Sequence, residues 1–194
     1  MKILITGASG FAGKHLSEYL KSRGHQIFSP HIDLLNATET ETALSKINPE
    51  GVVHLAAIAA IGESLISPAK IIRNNILAQL NLLETLKRKN SQARILIVGS
   101  ADEYGKGSNQ LLDEETPLMP TSPYAVSKIG QDFLGLQYFL KYGMKIIRVR
   151  PFNNIGEEQT LGFVVPDFVK QIVDIEKSGK LGTIFVGNLE TIRD

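Results

Sequence analysis

The sequence has no cysteine and almost no net charge: 21 Lys and Arg stand against 20 Asp and Glu over 194 residues, a formal +1. The missing cysteine excludes disulfides, a thiol nucleophile, thiolate zinc sites and iron–sulfur clusters. With only 4 His, scattered along the chain, no metal site is expected. The charge balance offers no electrostatic attraction for nucleic acid or for an anionic membrane surface. Long apolar runs are also missing. The richest stretch, residues 55–61, falls far short of the ~18 residues of a membrane span. Residues 1–5 reach Thr6-Gly7 too soon for the apolar region of a signal peptide. The expected location is therefore cytoplasmic. What remains is ordinary: 43% hydrophobic and 21% charged residues, enough to bury a core without cross-links.

Short β-branched runs alternate with longer stretches at helical spacing. The pattern predicts strands at 2–6, 26–29, 51–54, 94–98, 145–149 and 183–186. Helices are predicted at 11–22, 39–47, 69–89, 122–142 and 164–177, with Leu77, Leu80, Leu83 and Leu86 on one stripe of the third. Strand, helix, strand, repeated, implies an α/β fold whose parallel strands are joined by right-handed crossovers, a doubly wound sheet. Ile3-Leu4-Ile5 and Ile95-Leu96-Ile97-Val98 are apolar throughout, which fits strands covered on both faces. Two long loops, 105–121 and 153–162, invite a functional reading.

Gly7-Ala8-Ser9-Gly10-Phe11-Ala12-Gly13 lies between the first strand and the first helix. Glycine permits the sharp turn, and the free N–H groups of a helix N-terminus suit a pyrophosphate. The spacing is G-x-x-G-x-x-G rather than the more general G-x-G-x-x-G, but its place at the first strand-to-helix junction points to a dinucleotide. An acid about 20 residues further on would hold the adenosine ribose. Asp33 has that spacing but lies past the second strand's end, where it could equally cap the following segment. No Arg or Lys falls between 25 and 38 to hold a 2′-phosphate, and only Ser29 and His31 stand in that place. NAD and NADP both stay open.

Tyr124 and Lys128 are four apart near a helix start and share a face. A phenol titrates near 10, and an ammonium beside it is expected to lower that value, tuning it to protonate an alkoxide. The preceding strand ends at Val98-Gly99-Ser100, where a parallel sheet presents its carboxyl ends and Ser100 could donate to a substrate carbonyl.

Thr6-Gly7-Ala8-Ser9-Gly10-Phe11-Ala12-Gly13, His54-Leu55-Ala56-Ala57, Ser100-Ala101-Asp102-Glu103-Tyr104-Gly105, Ser122 to Lys128 and Arg150-Pro151-Phe152-Asn153 follow one another in this order. In these segments the chain resembles the extended short-chain dehydrogenase/reductases that act on nucleotide sugars. Arg150 to Gly156, Gly162-Phe163-Val164-Val165 and Val186 to Glu190 look most like the GDP-4-dehydro-6-deoxy-D-mannose reductases among them.

The resemblance implies a Rossmann-type dinucleotide-binding domain over 1–150 and the start of a substrate region over 151–194, with the C-terminal substrate part cut short. It implies that NAD(P)H is held by Gly7, Gly10, Phe11, Ala12 and Gly13 at the pyrophosphate, by Asp33 and Asn36 near the adenine, and by Leu55, Ala56 and Ala57 along the cleft. Asn75 falls on a helix close to the active site. Ser100, Tyr124 and Lys128 are implied as catalytic: Ser100 polarises a C4 carbonyl, Tyr124 donates the proton, and Lys128 binds the nicotinamide ribose. Asn153, Asn188 and Arg193 would touch the nucleotide of a GDP-linked 4-keto-6-deoxy sugar, and helices 69–89 and 122–142 would pair two subunits. Gly156-Glu157-Glu158-Gln159 departs from the family's Gly-Pro-Gly-Gln, its acids expected in solvent, and Ala78 and Gln79 replace a Gly and a Thr. A dehydratase of this kind uses a Glu where Asp102 stands; Glu103, read as extended chain, points the other way. Reduction is therefore preferred to the dehydratase or epimerase alternatives, and to a non-catalytic dinucleotide-binding module.

Overall fold

The computed structural model describes residues 1–59, 65–105, 111–187 and 189. The chain forms two compact units, Met1–Pro151 and Phe152–Asp194.

The first unit is built on five parallel strands: β1 (Lys2–Thr6), β2 (Gln26–Phe28), β3 (Gly51–His54), β4 (Arg94–Val98) and β5 (Ile146–Val149), in the order β2-β1-β3-β4-β5. Between them run helices α1 (Phe11–Ser22), α2 (Ala37–Ile47), α3 (Pro68–Arg88) and α4 (Pro123–Tyr142), and the second unit carries α5 (Val164–Ser178). The chain steps from β1 to β2 in one direction, then crosses back over β1 to β3 and continues outward. Right-handed crossovers place the helix of the first step on one face and those of the later steps on the other. The packing agrees: α1 packs on β1 and β2, while α2, α3 and α4 lean on one another in turn. This is a doubly wound, Rossmann-like sheet whose direction reverses at β1 and β3, the place where such folds bind ligands.

Helix ends are written in side chains. Asn36 accepts from the N–H of Thr38 and Glu39 to start α2. Ser122 accepts from Ala125 N–H and Pro123 follows at the first position to start α4, which stops at Gly143. The core under α2–α4 gathers Leu4, Leu44, Val52, Leu82, Leu86 and Ile95.

Three expectations need correction. Leu77, Leu80, Leu83 and Leu86 are not one stripe: Leu83 and Leu86 are buried and Leu77 is 37% exposed. Steps of three drift by about 60° each around a 3.6-residue helix, so 77 and 86 face opposite sides. The buried stripe of α3 is instead Ile71, Asn75, Ala78, Leu82 and Leu86. Residues 183–186 form no strand. Within the second unit, Phe185 gives its N–H to Gln171 Oε1 (2.7 Å) and its carbonyl accepts from Gln171 Nε2 (3.1 Å), so a side chain of α5 takes the place of a strand neighbour. Burial on both faces holds for β1, whereas β4 alternates buried Ile95 and Ile97 with half-buried Leu96 and Val98.

Candidate functional site

The turn from β1 into α1 depends on close approach. Gly7 has φ +75, and a Cβ there would lie 2.8 Å from Ala56 N; a Cβ on Gly13 would lie 2.3 Å from the Gly7 carbonyl oxygen. Gly10 caps α1 with no side-chain hydrogen bond, and the first turn carries no acid. The N–H groups of that turn are thus presented without a competing carboxylate, which fits an anionic pyrophosphate. Leu55, Ala56 and Ala57 are half-buried beside the turn, with Leu55 N–H donating to Thr6 O (3.1 Å) and Ala56 N–H to Thr6 Oγ1 (3.3 Å).

A Gly13→Ala exchange is expected to destabilise the fold. Ala would gain up to about 1 kcal/mol as a helix former, but its Cβ meets backbone atoms of Gly7 and Ala8 at 2.3–2.8 Å, and overpacking of this kind costs about 1–3 kcal/mol. Urea denaturation checks the sign; a more stable variant would contradict the packing described.

Asp33 and Asn36 are exposed and both serve the entry to α2. Asp33 Oδ1 accepts from Leu35 N–H (2.9 Å) in a turn, and Asn36 is the helix cap. The side chains read as adenine contacts therefore already hold local backbone.

Ser100, Tyr124 and Lys128 come together at the carboxyl end of β4. Ser100 caps a 3₁₀ turn, Ala101–Tyr104, its Oγ accepting from Asp102 N–H (3.1 Å). The Tyr124 phenol, from the first turn of α4, lies beside that hydroxyl. Lys128, one turn on, is buried and donates to Val98 O at 2.7 Å and Gln131 Oε1 at 2.9 Å.

The expected tuning of Tyr124 by Lys128 is overturned. Burial pushes Tyr124 up to about 12; the Ser100 hydrogen bond pulls down, and the charges of Asp102 and Glu103 add to the rise. The ammonium is turned toward Val98 and Gln131, and its own pKa is lowered to about 8 by burial, with Glu103 opposing. Tyr124 is a protonated phenol at neutral pH, a donor rather than a base.

The segment read as extended at Asp102 and Glu103 is a 3₁₀ turn. Asp102 stays half-buried, while Glu103 turns fully inside. There its Oε1 accepts from Ser100 N–H (2.8 Å) and its Oε2 lies 3.3 Å from Arg150 Nε. Arg150 in turn meets Asp132 of α4, as does Arg148. Burial raises Glu103 to about 7.

Two buried groups set opposite pH slopes. His54 is lowered from 6.5 to about 3 by burial, so between these values the unfolded chain binds the extra proton and acid destabilises the fold. Glu103 is raised from 4.5 to about 7, so over that range the folded chain binds the extra proton and acid stabilises it. The slopes oppose between 4.5 and 6.5. Glu103→Gln should remove one of them, leaving stability to fall by about 1.4 kcal/mol per pH unit below His54's unfolded value, where the unmodified protein holds nearly level. Denaturation curves at several pH values read this; parallel profiles would contradict it.

The buried stripe of α4 is Tyr124, Ser127, Lys128, Gln131, Asp132 and Tyr138, while Val126, Phe133 and Leu140 face outward. A polar inner stripe and an apolar outer one invert the usual pattern. Gln131 and Asp132 were missed in the sequence; their spacing from Lys128 on that inverted stripe was the available signal. Asn75 is buried and bonds both the N–H (2.9 Å) and the carbonyl (3.2 Å) of Ile58, and donates to Ser127 Oγ (2.9 Å). Asn153 is exposed at the start of the second unit, as are Glu157 and Glu158. Asn188 and Arg193 lie outside the described residues. Among the described residues no cluster could hold a metal ion, and no helix is long and apolar enough to cross a membrane.

A glycine turn at the sheet's reversal, with Ser, Tyr and Lys at the adjoining carboxyl end, defines an α/β protein of the Rossmann type. Residues 3–194 match the family model described as the NAD dependent epimerase/dehydratase family, and the chain belongs to that family. It is 34% identical over its whole length to the GDP-6-deoxy-D-mannose reductase of Pseudomonas aeruginosa, of which it covers 65%. It is 32% identical, again over its whole length and 65% of the relative, to the GDP-6-deoxy-D-talose 4-dehydrogenase of Aggregatibacter actinomycetemcomitans. Among solved structures, RMD from Pseudomonas aeruginosa complexed with NADPH is similar with a TM-score of 0.90 and 32% identity, over 100% of this chain and 67% of that one. The chain thus spans about 65% of the length of these two curated relatives.

Proposed function

We propose that the protein reduces the 4-keto group of a GDP-linked 4-keto-6-deoxy sugar, GDP-4-dehydro-6-deoxy-D-mannose, to give GDP-D-rhamnose with NAD(P)H. The observation that carries this is the placement of Tyr124: buried in the first turn of α4 beside Ser100, where burial holds its phenol above its ordinary pKa. A reductase needs a proton donor at the carbonyl it reduces. A 4,6-dehydratase needs an additional carboxylate base, and Glu103, committed to Ser100 N–H and Arg150, does not serve. The two relatives, a GDP-6-deoxy-D-mannose reductase and a GDP-6-deoxy-D-talose 4-dehydrogenase, both carry a GDP-linked 6-deoxyhexose in their names. The NADPH in the similar structure supports NADPH as the cofactor.

The nicotinamide supplies the hydride when bound. Ser100 donates a hydrogen bond to the carbonyl oxygen as it gains charge. Tyr124 delivers its phenolic proton to that oxygen, and Lys128, one helical turn on, holds the nicotinamide ribose. Gly7, Gly10 and Gly13 hold the pyrophosphate. The outward apolar residues Leu77, Val126, Phe133 and Leu140 on α3 and α4 support pairing of two copies through these helices.

The test supplies the purified protein separately with the 4-keto sugar nucleotide and with GDP-mannose. The reductase reading predicts loss of NADPH absorbance only with the first. Conversion of GDP-mannose to a keto sugar without net cofactor change favours the dehydratase, for which half-buried Asp102 is the available acid. NADPH binding with no turnover of either makes the chain a binding module.

A further inference from the structure

A chain of buried side chains runs behind Lys128, and each link has only one polarity. Lys128 Nζ can only donate, so Gln131 Oε1, at 2.9 Å, accepts. That fixes the amide. Gln131 Nε2 then donates to the Asn75 carbonyl at 3.0 Å and faces His54 Nε2 at 3.3 Å. His54 Nε2 must therefore accept, and its proton sits on Nδ1, 2.8 Å from Thr6 Oγ1. Thr6 Oγ1 also accepts from Ala56 N–H at 3.3 Å, against which Gly7 packs. The Gln131 backbone is pinned as well, its carbonyl accepting from Gln79 Nε2 at 2.7 Å. His54, Asn75, Gln79 and Gln131 are each 0–1% exposed. Burial keeps His54 neutral, so it does not place a second cation beside Lys128.

We propose that His54 and Gln131 are positioning residues for Lys128: a neutral Nδ1–H histidine orients the glutamine amide, which in turn aims the ammonium at the carboxyl end of β4. The inference deepens the reading given above and rests on it only for the role of Lys128. It also explains why a glutamine and a histidine lie where apolar residues would pack more cheaply: an apolar pair of similar volume would leave Lys128 Nζ and the Asn75 carbonyl without these partners. The charged and titratable groups facing Lys128 are Glu103 from the 3₁₀ turn and His54 from β3, with Tyr124 and Asp132 on its own helix. The α3 residues behind it, Asn75 and Gln79, do not titrate.

NMR on ¹⁵N-labelled protein tests this without cofactor or substrate. In the unmodified protein the His54 ring is expected as the Nδ1–H tautomer, and Lys128 should titrate near 8. Gln131→Leu removes an acceptor of the ammonium and should lower the Lys128 pKa by about one unit. Gln131→Glu keeps an acceptor, adds a charge and loses the donor to His54. It should raise the Lys128 pKa by about one unit and move a proton onto His54 Nε2. An Nε2–H tautomer in the unmodified protein would overturn the proposal, and so would a Lys128 titration indifferent to both exchanges. If Gln131→Leu fails to fold, the tautomer and the Glu variant decide. Failure of the reductase reading shows up separately, as absent turnover in an unmodified protein whose His54 and Lys128 signals still behave as described.

Discussion

Tyr124→Phe is expected to reduce turnover of the 4-keto sugar by about 10²–10⁴-fold and to leave NADPH binding nearly unchanged. The exchange removes one oxygen from a side chain that is 9% exposed, so the fold has little reason to respond. It deletes the proton donor and leaves Ser100 and the glycine turn in place. Titration by NADPH fluorescence beside a turnover assay separates the two effects. Loss of cofactor binding would mean that the phenol anchors the dinucleotide, and retained turnover would mean that the proton comes from elsewhere. The high pKa adds a pH signature. With the donor pushed up to about 12, no loss of the reductive rate from phenol ionisation is expected through neutral and mildly alkaline pH. A decline near 8 would instead report Lys128.

Asp132→Ala carries the largest expected effect on stability. Asp132 is 1% exposed and takes Arg148 NH1 and Arg150 NH2, both at 2.5 Å, on its two oxygens. Arg150 also bonds the Tyr104 hydroxyl and the Glu114 carbonyl, both at 3.3 Å. It stands beside Glu103, whose other oxygen caps Ser100. Removing one partner of a buried ion pair costs about 3–5 kcal/mol, here by leaving two guanidinium groups crowded on one side of α4. For a chain of this size that is a fall in melting temperature of roughly 10 °C, readable by circular dichroism. Asp132→Asn, which keeps the shape and one acceptor, should lose less. A loss below about 1 kcal/mol in the alanine variant would place the network in the range of solvated surface pairs.

The fold was legible where local rules act alone. Lys2–Thr6, the glycine turn and Ser122-Pro123 ahead of α4 all state their own conformation, through β-branching, absent side chains and a cap. Features that depend on distant partners were not legible. Whether residues 183–186 pair as a strand depends on which backbone lies beside them, and Gln171 satisfies Phe185 instead. The leucines of α3 share a spacing but not a face, because steps of three drift around the helix. At the site, Tyr124 and Lys128 could be found by their spacing, but the direction of their mutual influence could not. It turns on Val98 O and Gln131, 30 and 3 residues from Lys128, drawing the ammonium away. Nothing local marks His54: its contacts to Thr6, 48 residues away, and Gln131, 77 away, exist only once β1, β3 and α4 meet.

The measurement closest to the central claim follows a deuterium. NADPH labelled at the transferable C4 position is supplied with the 4-keto sugar nucleotide, and the product is read by NMR and mass spectrometry. Direct transfer over the Ser100–Tyr124–Lys128 cluster predicts one deuterium at C4 of the reduced sugar and none at C5 or C6. A sugar left unlabelled, or one that acquires solvent hydrogen at C5 while the cofactor returns unchanged, would contradict it.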